Sequence, residues 1–297
     1  MAISIAASQV DRVVPSWAAG LIARLSRDRP AVVTRSDLAV YMGDANVDRT
    51  VDRVASDLQQ LGWLSTLRLR AVWAFVPAGE SAVAVRSTDP YLDLRGWLAR
   101  DPDAVFALVG EAAAWHLGYL PRRFEGSTSI WIPAGTRVPH GLRAEVSLVR
   151  LRWPTDSARR LGPTSRQLAA KRLDLTGWAS GLPALGPEAI VAQIAARPAS
   201  FRAWADLIGQ LDVLVGDCDP GRLRELLDGF SVPTWQRAAY LLDRGGLHDA
   251  GVELLDGRAI RAMSVAQFGD ASDVVWSQVF QVNDHLIAPL QQRLGKA

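Results

Sequence analysis

The sequence predicts an α+β protein, with an N-terminal winged helix-turn-helix and a larger, mixed, helix-rich C-terminal domain. Three observations lead there. In 48–76 a helical apolar stripe of Val51, Val54, Leu58 and Leu61 runs directly into two strand-like segments, 63–67 and 72–76. Just upstream, Thr34-Arg35-Ser36-Asp37 has the capping-box pattern that opens a helix. From residue 165 onward, helical patterns succeed one another with little between them.

In chain order, residues 1–14 read as a loosely ordered arm. Ser16 is placed to cap a first helix with Trp17, Leu21 and Leu25 on one face, and Pro30 ends it. Ala31-Val32-Val33 is a short β-branched run suited to the first small strand. The second helix turns Leu38, Tyr41 and Met42 inward and closes at Gly43. A short connection leads to a third helix over 49–61, which Asp48 can cap and Gly62 can end in a left-handed conformation. The hairpin that follows carries Arg68 and Arg70 at its tip.

Pro77-Ala78-Gly79-Glu80-Ser81 and Arg86-Ser87-Thr88-Asp89-Pro90 break the pattern, which sets a boundary near 85 and predicts domains at 1–85 and 86–297. The second domain is expected to hold helices over 92–99 and 103–117 and strands over 127–133 and 144–153. Helices at 165–180, 187–196, 201–215, 220–228, 233–244 and 247–255 follow. A strand near 274–282 and a terminal helix with Leu286, Leu290 and Leu294 in register complete it. No internal repeat or low-complexity tract is evident.

Composition narrows the function classes. The 297 residues are 49% hydrophobic and 22% charged, an ordinary globular balance, with a formal net charge of only +2. Any nucleic-acid surface must therefore be local. All but two of the 33 basic residues are arginine (Lys171 and Lys296 are the exceptions), as a GC-rich coding sequence would also produce. Met1-Ala2-Ile3-Ser4-Ile5 lacks the basic start and long apolar core of a signal peptide, and no apolar run reaches a membrane-spanning length. The expectation is a cytoplasmic protein with no membrane partner.

No catalytic constellation stands out, so no cofactor, no metal and no enzymatic activity are expected. His116, His140, His248 and His285 are scattered without metal-ligand spacing. Cys218, the single cysteine, sits between Asp217 and Asp219, which disfavour a thiolate. Gly181-Leu182-Pro183-Ala184-Leu185-Gly186 lacks the Lys-Ser/Thr of a phosphate loop and reads as a turn. The 11 tryptophans fall mostly at apolar positions and read as core. Arg150, Arg152, Arg159 and Arg160 form a basic cluster best read as a solvated edge.

The candidate DNA-binding residues are Arg35, Arg49, Thr50, Arg53, Ser56, Gln60, Arg68 and Arg70. At about 100° per residue, Arg49, Arg53, Ser56 and Gln60 converge opposite the apolar stripe. A guanidinium and amide face suits base edges in a groove, and a basic hairpin tip suits flanking phosphates. The plain alternative is a solvated helix face, since Asp52 and Asp57 lie among the arginines.

Thr34-Arg35-Ser36-Asp37-Leu38, Trp73-Ala74-Phe75-Val76-Pro77, Ala113-Ala114-Trp115-His116-Leu117-Gly118 and Ala239-Tyr240-Leu241-Leu242-Asp243-Arg244-Gly245-Gly246 give the chain a further signature. With them it resembles the AbiEi-type antitoxins of bacterial toxin–antitoxin pairs, in particular Arg-rich actinobacterial members. The resemblance implies a winged helix that binds repeats in double-stranded promoter DNA and represses its own operon. It also implies a C-terminal domain that counteracts a cognate nucleotidyltransferase toxin. The wing departs from the common pattern, because Leu67-Arg68-Leu69-Arg70-Ala71 has no glycine at its tip. Two other readings stay open: a ligand-sensing winged-helix transcription regulator, and an antitoxin that covalently modifies its toxin, for example by phosphorylation. If the second domain touches a toxin directly, Asp217, Asp219, Glu225 and Asp228 are better placed than the Arg150–Arg160 cluster, although an ordinary solvated face explains them as well.

Overall fold

Leu21, Ile22 and Leu25, then Leu38 and Met42, then Val54, Ala55 and Leu58 place one apolar face of each of three helices in a common core. These helices are α1 (Ala19–Asp28), α2 (Arg35–Asp44) and α3 (Val51–Gln60). The computed structural model describes residues 12–104, 106–132, 137–148, 182–228, 230–256, 265–270 and 272–295. The chain divides into two units, Met1–Val105 with Arg137–Ala144, and Phe106–Thr136 with Glu145–Ala297.

In the first unit, β1 (Val32–Thr34), β2 (Leu64–Thr66) and β3 (Val72–Phe75) form an antiparallel sheet in the order β1-β3-β2. Val33 pairs with Trp73 and Ser65 with Ala74, and every residue of β3 is buried. Helix, strand, helix, helix, strand, strand is the order the sequence predicts for a winged helix-turn-helix. The capping box forms at α2: Thr34 Oγ1 accepts from the Asp37 N–H at 3.1 Å, and the Asp37 carboxylate accepts from the Thr34 N–H at 2.9 Å.

Other helix ends differ from expectation. Residues Ser16–Ala18 form a 3-10 turn, so α1 starts at Ala19 without a side-chain cap from Ser16, and it closes on Arg29 at φ 45°. Helix α2 runs one residue past Gly43. Thr50, not Asp48, is the N-cap of α3, because the chain is still turning at 47–49, where the Arg49 N–H donates to the Val47 carbonyl. Gly62 does end α3 in the left-handed region, at φ 79°.

Two more helices, α4 (Ala82–Thr88) and α5 (Leu92–Arg100), belong to this unit, so the expected boundary at 85 falls inside α4. Burial of Leu92, Leu94 and Trp97 draws α5 in. Gly96 permits the approach: a Cβ there would stand 3.0 Å from Leu67 and 3.1 Å from Val72. The Pro/Gly-rich break at 77–81 is thus a loop within the unit.

The second unit opens on β4 (Ala107–Leu108) and α6 (Gly110–His116), where a single helix over 103–117 is expected. Phe106, Leu108 and Val109 are all buried, and a continuous apolar run carries no alternation to mark it as strand. Strands β5 (Thr128–Trp131) and β6 (Val146–Leu148) complete a sheet in which β4–β5 is antiparallel and β5–β6 parallel. Both lie inside their expected spans.

A helical layer follows: α7 (Pro187–Ala196), α8 (Trp204–Leu207), α9 (Leu211–Gly216), α10 (Pro220–Leu227), α11 (Val232–Arg244) and α12 (His248–Leu254). The helix expected at 201–215 is broken by a 3-10 turn, Ile208–Gln210, with Gly209 at its centre. Gly251 brings α12 against α11, since a Cβ there would lie 2.6 Å from the Ala239 carbonyl. Buried acids tie this layer to loop backbone: Glu188 accepts from the Asp219 N–H at 3.0 Å and Glu111 from the Arg202 N–H at 2.7 Å.

Near the C-terminus, β7 (Ala266–Phe268), β8 (Val275–Ser277) and β9 (Val282–Asp284) form a sheet in the order β7-β9-β8 ahead of α13 (Ile287–Arg293). The one strand expected near 274–282 is therefore an antiparallel pair, turning through Gln281 at φ 52°. Phe268 and Phe280 pack their rings on Tyr240 at 6.3 and 6.1 Å between centroids. The expected helix at 165–180, the Arg150–Arg160 cluster and most of the N-terminal arm lie outside the described residues.

Candidate nucleic-acid interface

The buried Val54, Ala55 and Leu58 fix the rotation of α3, and its other side faces solvent with Arg53, Ser56 and Gln60. Thr50, exposed at the N-cap, makes no side-chain cap bond. Of the predicted residues, the arginines around this helix are held by aspartates. Arg35, at the first position of α2, donates from Nε and Nη2 to the two oxygens of Asp52 at 3.0 and 2.9 Å. This bidentate pair keeps the Asp52 carboxyl below the usual carboxylate range and raises the Arg35 guanidinium, through hydrogen bonding first and charge second.

Asp57 serves two partners at once. Its Oδ2 accepts from Arg49 Nη1 at 3.1 Å, and its Oδ1 lies 3.2 Å from Arg53 Nε. Arg49 is further pinned by Trp17, whose ring centroid lies 4.2 Å from the guanidinium carbon. The structure thus brings together Arg35 of α2, Arg53 of α3 and Arg49 of the turn before α3, with Asp52 and Asp57 between them. Sequence reasoning treated these acids only as diluting the field. The spacing of four between Arg53 and Asp57 was the available signal; nothing local announces the Arg35–Asp52 pair, 17 residues apart.

The wing behaves differently. Leu67 and Leu69 are buried, and Ala71 takes the left-handed conformation (φ 59°) in place of the missing glycine. The Arg68 N–H donates to Asp93 of α5 at 2.8 Å, and its side chain reaches the same carboxylate at 3.9 Å. Segment 137–144 also lies on the tip, so close that a Cβ on Gly141 would collide with the Arg68 carbonyl. Arg68 is thereby drawn into the fold, whereas Arg70 is exposed and forms no hydrogen bond or ion pair among the described residues.

In the second unit, two of the four acids singled out from sequence have local tasks. Asp217 accepts from the Tyr119 hydroxyl at 2.9 Å, and Asp219 caps α10 through the Gly221 and Arg222 N–H groups. Burial, reinforced by Glu188 and Asp219, pushes the Cys218 thiol far above its ordinary range, which leaves it unreactive. Among the described residues, no group of three or more His, Cys, Asp or Glu could hold a metal, and no helix is long and apolar enough to cross a membrane.

Comparison with known proteins adds two findings. The family described as the AbiEi antitoxin C-terminal domain matches residues 105–244. The crystal structure of the RV2827C protein from Mycobacterium tuberculosis is similar at 46% sequence identity and a TM-score of 0.75, over 96% of this chain and 97% of that one. No curated protein matches. With an N-terminal unit of winged-helix order and this domain matched over residues 105–244, the chain belongs to the AbiEi antitoxin family.

Proposed function

We propose that the chain is a cytoplasmic DNA-binding antitoxin and transcriptional autorepressor. Its first unit binds double-stranded promoter repeats through α3, and its second counteracts a cognate nucleotidyltransferase toxin without turnover. The observation that carries the DNA half is the outward face of α3, where Arg53, Ser56 and Gln60 stand opposite the buried Val54, Ala55 and Leu58, with Arg35 and Arg49 alongside. A rigid helix presenting fork-shaped cations and an amide matches what base edges in a major groove require. Family membership supports the toxin half.

Arg53→Ala is the direct test of the DNA half. Removal of a base-reading arginine weakens promoter binding roughly 5- to 150-fold and relaxes preference at one position. Because Arg53 is 72% exposed and pairs only along its own helix, folding is little affected. A mobility-shift titration in which the variant binds its promoter as tightly as the parent would remove α3 from the interface. For the toxin half, stoichiometric inhibition of the purified toxin with no change in its mass is the expected result.

A further inference from the structure

The carboxylate of Asp57 is unusual in what it binds and in what it leaves exposed. Its Oδ1 stands 3.2 Å from Arg53 Nε, an ion pair without a hydrogen bond, and the two terminal nitrogens of that guanidinium form no hydrogen bond among the described residues. Arg35, by contrast, commits Nε and Nη2 to Asp52, and Arg49 commits Nη1 to Asp57 and its face to Trp17. Arg53 is therefore the one of these three with both terminal nitrogens open. Asp57 itself is only 16% exposed against 72% for Arg53, so the holder is seated in the surface and the held group projects from it. Two parallel donors at the end of an outward-projecting guanidinium match the O6 and N7 acceptors of guanine in the major groove.

Charge points the same way. Arg35, Arg49 and Arg53 against Asp52 and Asp57 leave a net +1 (3 − 2) among the paired side chains, and the exposed Asp48 beside Arg49 offsets even that. For phosphate attraction alone these acids are a cost, since each neutralised phosphate adds about 0.9 to the salt dependence of binding and a paired arginine is less available to neutralise one.

We propose that Asp57 is the specificity-determining positioning residue of the DNA interface: it orients Arg53 toward a guanine and withholds positive charge from phosphates. The proposal rests on the DNA-binding reading above.

The test uses the full chain, a duplex bearing the promoter of its own gene, and a scrambled duplex of equal length. Affinities are measured by fluorescence anisotropy across a salt series, with each promoter guanine also replaced by adenine in turn. The parent should prefer the promoter and lose about tenfold at one guanine or more. Asp57→Asn should erase that penalty at the guanine where Arg53→Ala erases it. It should also lower the promoter-to-scrambled ratio about tenfold and steepen the salt dependence on scrambled DNA by about one. Asp57→Glu, which keeps the charge, should restore part of the ratio.

Equal loss on both duplexes, or an unchanged ratio and salt slope, overturns the proposal while leaving DNA binding intact. If Asp57→Asn fails to fold, Arg53→Lys decides. It keeps the charge and lacks the fork, so it should lose the guanine penalty at an unchanged salt slope, and retention of the penalty overturns the proposal. A parent chain with no preference for its promoter overturns the DNA-binding reading itself, and this proposal with it.

Discussion

Replacing Asp284 with Ala should destabilise the second unit more than removal of one small polar side chain ordinarily would. Asp284 is fully buried and accepts four hydrogen bonds. Oδ1 takes the N–H groups of Leu286 and Ile287 at 2.8 Å each, and Oδ2 takes the Ala288 N–H at 2.6 Å and the Tyr240 hydroxyl at 2.8 Å. One carboxylate thus starts α13 and fastens it, through Tyr240, to α11. The substitution leaves the N–H groups of Ile287 and Ala288 and the Tyr240 hydroxyl buried without this acceptor, at roughly 1–3 kcal/mol each. Allowing water to enter the vacated space, the total is roughly 3–6 kcal/mol. At roughly 2–4 °C per kcal/mol for a unit of this size, the melting temperature should fall by about 6–24 °C. Thermal and urea melts of the full chain followed by tryptophan fluorescence read this, because Trp204 and Trp235 are buried in the affected unit. Asp284→Asn retains one acceptor oxygen and should lose less. A fall of under about 3 °C for the Ala variant, near 1 kcal/mol, would refute the reasoning.

Other perturbations probe separate parts. Gly141→Ala forces a Cβ onto the Arg68 carbonyl and should cost about 1–3 kcal/mol, read as a lower melting temperature; an unchanged melt would mean that segment 137–144 parts easily from the wing. His248 lies 2.6 Å from Asp243, and this hydrogen bond, helped by the charges of Asp243 and Asp249, lifts its imidazolium above the ordinary histidine range. A raised folded value contributes stability that is fully present below about pH 6.5 and is lost as pH rises through the folded value. His248→Gln should therefore lower the melting temperature more at mildly acidic pH than at mildly alkaline pH, and equal shifts at both would remove the pair from the account.

Much of the first unit could be read from sequence because each of its elements carries its own marker. The stripe of α3, the box at Thr34 and the two β-rich runs of the hairpin are local patterns, and the core they imply is the core that forms. What escaped depends on tertiary contact. The buried run Phe106-Ala107-Leu108-Val109 has no alternation, so nothing in it separates strand from helix until β5 pairs with it. The turn between β8 and β9 was hidden because Gln281, a residue with no turn preference, takes the left-handed position. Ala71 does the same in the wing. The boundary at 85 misled because α5 returns to the sheet after a Pro/Gly-rich loop, and that return depends on the small volume of Gly96.

The candidate site divides along the same line. The angular separation of Arg53, Ser56 and Gln60 from the apolar stripe follows from helix geometry alone and was legible. The pairing of the arginines was not, because it joins different helices and loops: Arg24 to Asp44, Arg35 to Asp52, Arg49 to Asp57, Arg86 to Asp93, Arg122 to Asp206. An arginine-rich chain with a net charge of only +2 thus uses many of its cations as fixed donors to nearby carboxylates. Exposed pairs of this kind add little stability, and on the proposed reading their contribution is to the direction of the guanidinium forks. If this surface recognises DNA as proposed, recognition depends on donor geometry more than on a long-range positive field, so the encounter should be only weakly accelerated at low salt. A strongly salt-steered association rate for the parent chain would contradict that inference and return the arginines to the role of simple phosphate contacts.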